Sequence, residues 1–149
     1  MKTKLHSVFR IRLSALVGAA IIVLSAAAGA PAQSGWRSAL SFDGVDDYAQ
    51  AGAVPLANSS FTLEAWARRN SATGLDFILG QGGAGSERSL HFGFHWGSSF
   101  VLGFYDDDLW SAPGYSDSDW HHWAATYNTT NKLRCIYRDG VLIATNTAL

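Results

Sequence analysis

The chain has 149 residues, a formal net charge of −1 and a composition that is 48% hydrophobic and 15% charged. This length suits one domain, and the absence of any dense basic run argues against nucleic-acid binding. Cys135 is the only cysteine, so an intrachain disulfide is excluded.

The first 32 residues have the pattern of a secretory signal peptide. Four basic residues precede an apolar run over 13–28, and Ala30-Pro31-Ala32 offers small residues for cleavage. The alternative is an uncleaved membrane anchor, but the run is interrupted by Ser14, Gly18 and Ser25, and a spanning helix needs about 20 apolar residues. The pattern therefore predicts a secreted or cell-surface protein that begins at Gln33 and is not stably inserted in a membrane.

Removal of the signal peptide makes the protein more acidic. Seven basic residues then remain against twelve acidic ones, a net charge of −5. A protein of this charge is not attracted to anionic lipid or to nucleic acid.

After a short linker over 33–38, the predicted strands follow one another without a helical period. The first is 40–42, which leads into the acidic turn 43–47 and a return segment at 48–51. In Phe61–Arg68, alternate positions from Phe61 to Ala67 are predicted to face a core. A short apolar strand over 76–80 precedes the glycine-rich loop 81–89, which lacks the Gly-Lys-Ser/Thr of a phosphate-binding loop.

The second half of the chain predicts two hairpins. In the first, Leu90, Phe92, Phe94 and Trp96 alternate with histidine and glycine before the turn at 97–99, and an aromatic strand follows over 100–104. An irregular acidic loop then leads to Trp120 and to a strand over 123–127.

The last hairpin turns at Asp139-Gly140, which favours a type I′ turn pairing Arg138 with Val141 and Tyr137 with Leu142. Alternation predicts one set of residues facing the core and a second set facing solvent. The predicted inner set is Leu133, Cys135, Tyr137, Leu142 and Ala144, and the predicted outer set is Arg134, Ile136 and Arg138. Cys135 is thus expected to be an inert core thiol.

Three motifs in this order resemble the laminin G-like family of the concanavalin A-like lectin and glucanase superfamily. They are Leu-Ser-Phe-Asp-Gly-Val-Asp-Asp-Tyr at 40–48, Phe-Thr-Leu-Glu-Ala-Trp at 61–66, and the Trp-His and Tyr-Arg-Asp-Gly-Val-Leu elements within 120–145. The resemblance implies an all-β, antiparallel, two-sheet jelly-roll sandwich over residues 39–149. It also implies further strands after the last hairpin, so we expect an incomplete domain that is marginally stable or self-associating.

Glycosidases of this superfamily use two acidic residues on one strand, facing one groove. The chain has only Glu64, with no acidic residue two or four positions away, and Glu87 in a glycine-rich loop. His91 and His95 lie about 13 Å apart along a strand at ~3.3 Å per residue, too far to share a metal ion. These observations predict a protein without catalytic residues.

Calcium is the cofactor best matched by the acidic turn, because hard cations bind carboxylate and carbonyl oxygens of loops. The candidate ligands are Asp43, Asp46 and Asp47. The alternative is that Asp43 only closes an Asx turn. A second acidic run at 106–108 is interpreted as a solvated loop.

Carbohydrate binding needs aromatic side chains beside hydrogen-bonding groups. Of the aromatic residues, Trp110 and Tyr115 lie outside clean strands and are the predicted ligand-binding pair. The predicted function is a secreted, non-catalytic module that binds an extracellular glycan or protein surface. Two alternatives stay open: a structural or adhesive segment of a larger surface protein, and an accessory module of a secreted glycoside hydrolase.

Overall fold

The computed structural model describes residues 7–15, 39–42, 47–69, 74–83, 85, 87–112 and 114–149. The cleavage step predicted at 30–32, the linker 33–38, Asp43 and Asp46 lie outside these residues. The strands are β1 (Ser7–Ala15), β2 (Leu40–Phe42), β3 (Phe61–Arg69), β4 (Asp76–Gly82), β5 (Ser89–His95), β6 (Ser99–Gly103), β7 (Asp108–Trp110), β8 (His121–Tyr127), β9 (Leu133–Arg138) and β10 (Val141–Thr147).

These strands form two antiparallel sheets. One has six strands in the order β10-β9-β8-β3-β1-β2, and the other has four in the order β4-β5-β6-β7. One 3₁₀ turn, Trp96–Ser98, joins β5 to β6. The predicted all-β sandwich of two antiparallel sheets is confirmed, and none of the described residues forms a helix long and apolar enough to cross a membrane.

Strand β3 shows how the sequence directs one face of each strand inward. Its residues alternate between buried and partly or fully exposed along the whole strand, as the sequence predicts. The side chains at Phe61, Leu63, Ala65 and Ala67 are all buried. They pack with the inner residues of the four-stranded sheet in one apolar cluster, so burial of these alternate positions holds the sheets together.

The centre of this cluster is a stack of two aromatic rings from opposite sheets. The indole of Trp123 on β8 and the ring of Phe100 on β6 are nearly parallel, with centroids 4.2 Å apart. Phe94 meets both rings edge-on, with centroids 5.0 Å away in each case. Such ring contacts add about 0.5–1.5 kcal/mol each beyond the area they bury.

Strand β9 faces the opposite way from the prediction. Arg134 and Ile136 are fully buried at 0% exposure, whereas Leu133 is exposed. The register explains this, because Ile136 pairs with Ala125 and Arg134 with Tyr127, both of which lie on the inner face of β8. Arginine is tolerated at these inner positions because Arg134 and Arg138 each pair with an aspartate, Asp107 and Asp117 respectively.

The partner of Arg134 is Asp107 in the loop between β6 and β7. Arg134 donates from Nη2 to the Asp107 carboxylate at 2.7 Å and from Nη1 to the Asp107 carbonyl oxygen at 2.6 Å. Its Nε donates to Asn146. Each of the three guanidinium nitrogens of Arg134 therefore donates a hydrogen bond, which offsets the cost of burying its charge.

The last hairpin has the predicted turn but a shifted register beyond it. Asp139 and Gly140 both have positive φ, at 51° and 80°, and Arg138 pairs with Val141 as expected. A bulge after Leu142 then sets Ala144 opposite Ile136, so Ala144 lies on the inner face and not beside Cys135. Cys135 is buried as expected, but on the outer face, where its Sγ lies 3.5 Å from Thr145 Oγ1.

Strand β1 lies within the segment that the sequence analysis predicts to be a signal peptide. It pairs with β3 over nine residues, from Ser7 opposite Arg69 to Ala15 opposite Phe61, and with β2 on its other side. One stretch of sequence therefore carries both an export pattern and the alternation of a strand.

Replacing Arg134 with Met should lower the free energy of unfolding by about 3–5 kcal/mol, because Asp107 would keep a buried charge without its partner. Urea unfolding measures the change, and Lys132→Met at an exposed position of the same hairpin is the control, with a change within about 0.5 kcal/mol. Adding Asp107→Asn to Arg134→Met should recover part of the loss. Equal effects of the Arg134 and Lys132 variants would show that the buried pair does not stabilise the fold.

Candidate binding face

The outer face of the four-stranded sheet carries a band of aromatic and imidazole rings, which we call the aromatic face. Its three most exposed members are Trp96 at 61%, Trp110 at 40% and Tyr105 at 39% exposure. Rings that lie between or beside them complete the band. The members of the aromatic face are Phe77, His91, His95, Trp96, Tyr105 and Trp110.

The rings contact one another across β4, β5 and β7. His91 stacks on Phe77 with centroids 4.8 Å apart and planes within 9°. His95 meets the ring of Trp110 edge-on at 4.3 Å, and the His91 and Tyr105 rings are 6.1 Å apart. The exposed tryptophans are thus held by neighbouring rings, which lowers the entropy lost when a ligand stacks on them.

Two glycines make room for this arrangement. Gly93 lies on the outer face between His91 and His95, and a Cβ there would come within 2.6 Å of the Phe77 backbone. Its missing side chain lets β4 approach and Phe77 lie beside both imidazoles. A Cβ at Gly103 would come within 2.3 Å of Asp108 Oδ1, so that glycine admits a carboxylate next to the rings.

The electrostatics of the aromatic face are nearly neutral. Strands β4 to β7 contain no lysine or arginine. Partial burial lowers the pKa of His95, an effect that Asp108 opposes and His91 reinforces, so His95 is uncharged near pH 7. The neutral imidazole of His95 offers one donor and one acceptor, and the Asp108 carboxylate adds acceptors. This is the mixture of apolar surface and hydrogen-bonding groups that a sugar ring requires.

The two predicted ligand-binding residues lie in different places. Trp110 is in the aromatic face, as an exposed residue at the end of β7. Tyr115 is half-buried and packs edge-on against Trp123 at 5.2 Å, with the Arg138 guanidinium 4.9 Å from its ring. The structure therefore does not bring them into one site, and Tyr115 is less exposed than the sequence suggested because the loop after β7 folds back onto the core.

Tyr115 instead lines a shallow charged cleft at one end of the sandwich. Residues around it come from β3, β5, β8, β9 and the loop before β8. They are Ala67, Arg68, Arg69, Phe94, Tyr115, Asp117, Asp119, His121, Trp123 and Arg138. The cleft holds both signs of charge in close pairs.

Within this cleft, His121 lies between two carboxylates. Its Nδ1 is 2.6 Å from Asp139 and its Nε2 is 2.8 Å from Asp117, while Arg138 Nη2 donates to Asp117 at 2.7 Å. Arg138 Nη2 is also 2.6 Å from His121 Nε2. One nitrogen cannot both donate to Asp117 and accept from Arg138, so the imidazole satisfies only one of these contacts at a time.

Both carboxylates are stabilised in the ionised form. Partial burial raises the pKa of Asp117, but hydrogen bonds from His121 and Arg138 outweigh it and leave the pKa below its ordinary value. Burial likewise raises the pKa of Asp139, and the bonds from His121 and the His122 backbone N–H bring it below the ordinary value. The pairs join the 115–119 loop to the last hairpin, which is a structural role.

Comparison with protein families agrees with this architecture. A laminin G-type model of the concanavalin A-like lectin/glucanases superfamily matches residues 43–149, more than half of the chain. The chain belongs to the laminin G-like family. No curated protein and no solved structure is significantly similar to it. Laminin G-like domains are typically extracellular, commonly bind glycans or proteins, and are generally non-catalytic.

The acidic residues of this laminin G-like domain show no assembled metal site within the described part of the chain. Asp47 lies there in an exposed irregular segment, while Asp43 and Asp46 fall outside it, so the predicted calcium site stays a prediction. The run at 106–108 separates in space: Asp107 is buried against Arg134, and Asp108 accepts a hydrogen bond from the Tyr105 N–H.

Glu64 lies on the outer face of the six-stranded sheet. Its carboxylate is 3.7 Å from His122 Nε2, and the ring of Trp66 is 5.5 Å from that imidazole. His121 and His122 face opposite sides of β8, as predicted, since they pair with Ala67 and Trp66 respectively.

Sequence reasoning missed the histidines of the aromatic face as site residues. The alternation grouped Trp96 with Leu90, Phe92 and Phe94, but Trp96 lies in the 3₁₀ turn and is exposed, whereas the other three are buried. The sequence did contain a signal for the two histidines. Because alternate residues of β5 face the core, His91 and His95 lie together on its outer face. The sequence could not show that Phe77 lies on the aromatic face, because a bulge between Phe77 and Leu79 interrupts the alternation of side chains along β4.

Acid should destabilise the laminin G-like domain partly through the Asp117 and Asp139 pairs. Because their folded pKa values lie below the ordinary 3.8, their contribution is complete above that pH and is lost as the pH falls through the folded pKa. Asp117→Asn should therefore lose less stability than the wild type between about pH 5 and about pH 2.5. Urea midpoints measure this, with Asp119→Asn as the control. Identical losses in the Asp117 variant and the wild type would contradict the assignment.

Proposed function

We propose that this laminin G-like domain is an exported, non-catalytic module that binds carbohydrate through the aromatic face. The observation that carries the proposal is the cluster of exposed Trp96, Tyr105 and Trp110 rings on one outer sheet face, supported by neighbouring imidazoles. Sugar rings present apolar C–H faces that stack on such side chains, while their hydroxyl groups need donors and acceptors at the edge.

The charge of the face favours neutral glycans. An acidic polysaccharide would require lysine or arginine beside the rings, and strands β4 to β7 supply neither. Asp108 would repel carboxylate or sulfate groups. Neutral hydroxyl groups can bond to Asp108, His91 and His95 without such a penalty.

Export and calcium are parts of the same proposal. The N-terminal pattern supports export with a mature start at Gln33, and the family is typically extracellular. Calcium would be held by the carboxylates of Asp43, Asp46 and Asp47. The module is non-catalytic in this proposal because the Glu64 carboxylate lies 3.7 Å from the His122 imidazole and Glu64 has no acidic residue two or four positions away along its strand.

A glycan array probed with the full chain tests this function, with and without a chelator. Trp110→Ala should weaken binding of neutral glycans at least about tenfold, since a stacked ring contributes more than the area it buries. Trp120→Ala is the matched control. Trp120 has 39% exposure, close to that of Trp110, but lies beneath Arg68 and outside the aromatic face.

Loss of binding in the Trp110 variant but not in the Trp120 variant supports the aromatic face as the binding site. Loss of binding in the presence of the chelator supports the calcium dependence of binding. Equal binding by the Trp110 and Trp120 variants would reject the face as the site. Silence of the wild-type chain on every glycan would reject carbohydrate binding and favour a structural or adhesive role.

A further inference from the structure

The exposed rings of the aromatic face form two groups, each beside one of its histidines. Tyr105 lies beside His91, with ring centroids 6.1 Å apart, and we call this group the Tyr105 subsite. Trp96 and Trp110 lie beside His95, with centroids 6.5 Å and 4.3 Å from that imidazole, and we call this group the Trp110 subsite. Each subsite offers an exposed ring for stacking and an imidazole for hydrogen bonding, so each can hold one sugar unit.

The two subsites lie toward opposite ends of β5. His91 and His95 are four residues apart along this strand, about 13 Å at ~3.3 Å per residue. The Glu87 N–H, before the start of β5, donates to the Tyr105 carbonyl oxygen at 3.1 Å, so Tyr105 lies at the end of the strand away from His95. A sugar ring is about as wide as the aromatic ring on which it stacks, so one unit cannot cover both subsites.

The surface between the subsites is low and apolar. The half-buried ring of Phe77 lies 4.8 Å from His91 and 6.3 Å from His95. Gly93 has no side chain there, and Val101, its partner in β6, is buried at 2% exposure. A ligand can therefore continue across this surface from one subsite to the other.

An acceptor for hydroxyl groups lies near both subsites. Asp108 Oδ1 accepts a hydrogen bond from the Tyr105 N–H at 3.2 Å. Asp108 is also close enough to His95 for its charge to oppose the lowering of the His95 pKa by burial. A chain of neutral sugars carries hydroxyl groups along its edges, and these can donate to this carboxylate.

We propose that the aromatic face binds an extended neutral oligosaccharide that lies along β5 and places sugar units on both subsites at once. A single sugar occupies one subsite at a time. This inference rests on the carbohydrate binding in the proposed function, and it adds the length and the direction of the ligand.

Occupation of two subsites by one molecule makes the affinity depend on the length of the ligand. Once one unit is bound, the rest of the same chain meets the second subsite at a high effective concentration, and the gain in affinity can reach about 10²–10⁴-fold. An oligosaccharide too short to reach both subsites does not obtain this gain.

Isothermal titration calorimetry of the full chain tests the inference with three size series. The probes are cello-, xylo- and malto-oligosaccharides, each from the monosaccharide to the hexasaccharide. In a series that binds, the hexasaccharide should bind at least about 100-fold more tightly than the monosaccharide, with the rise at the length that first spans both subsites.

Variants at Tyr105 test whether the second subsite causes this gain. Tyr105→Ala should weaken hexasaccharide binding at least about tenfold and flatten the dependence on length, since the stacking ring is lost. Tyr105→Phe keeps the ring and should keep most of the gain. The matched control is Tyr48→Ala, at a tyrosine with 80% exposure outside the aromatic face, which should keep the full dependence on length.

Equal affinities for the monosaccharide and the hexasaccharide would overturn the inference and leave the carbohydrate proposal intact. So would an unchanged gain with length in the folded Tyr105→Ala variant. Urea unfolding checks that each variant folds. If Tyr105→Ala does not fold, Trp110→Ala takes its place, and a retained gain there overturns the inference while a lost gain supports it. Silence of the wild-type chain towards every length in all three series would overturn the inference, and the glycan array then decides the carbohydrate proposal separately.

Discussion

Stacking of the Trp123 indole on the Phe100 ring is the contact on which the sandwich depends. It joins β8 of one sheet to β6 of the other, and Phe94 on β5 packs edge-on against both rings. Because side chains alternate along a strand, burying Phe94 turns His95 outward. The aromatic face on the outside is therefore a consequence of the aromatic core on the inside.

The sequence predicted the strand faces and turns correctly where the alternation of side chains and the turn residues agree. The inner face of β3 and the type I′ turn at Asp139-Gly140 follow from local pattern, and both are present. The prediction of which side of β9 faces the core was wrong, because arginine at alternate positions of a strand normally indicates the solvent-facing side. The partner that satisfies Arg134 is Asp107, 27 residues away in sequence, and only the folded chain brings them together.

The residues of the candidate site likewise differ in whether the local sequence pattern could predict their exposure. Trp110 could be predicted because it lies at a strand end near a turn, and it is exposed. Tyr115 could not, because its burial depends on how the loop before β8 packs against Trp123. Nor could the sequence show that Gly93 brings the β4 backbone beside the histidines. Loop packing and close backbone approach are tertiary effects without a local signature. The fold alone supports many functions, so the binding claim depends on this arrangement of rings.

The most direct test of that claim is an NMR titration of the full chain with the neutral glycan that binds it most tightly. The account predicts shifts of the indole N–H signals of Trp96 and Trp110 and of the imidazole signals of His91 and His95. The indole N–H of buried Trp123 and that of Trp120 should remain nearly unchanged. Shifts confined to Trp66 and His122, on the opposite sheet, would contradict the aromatic face as the carbohydrate site.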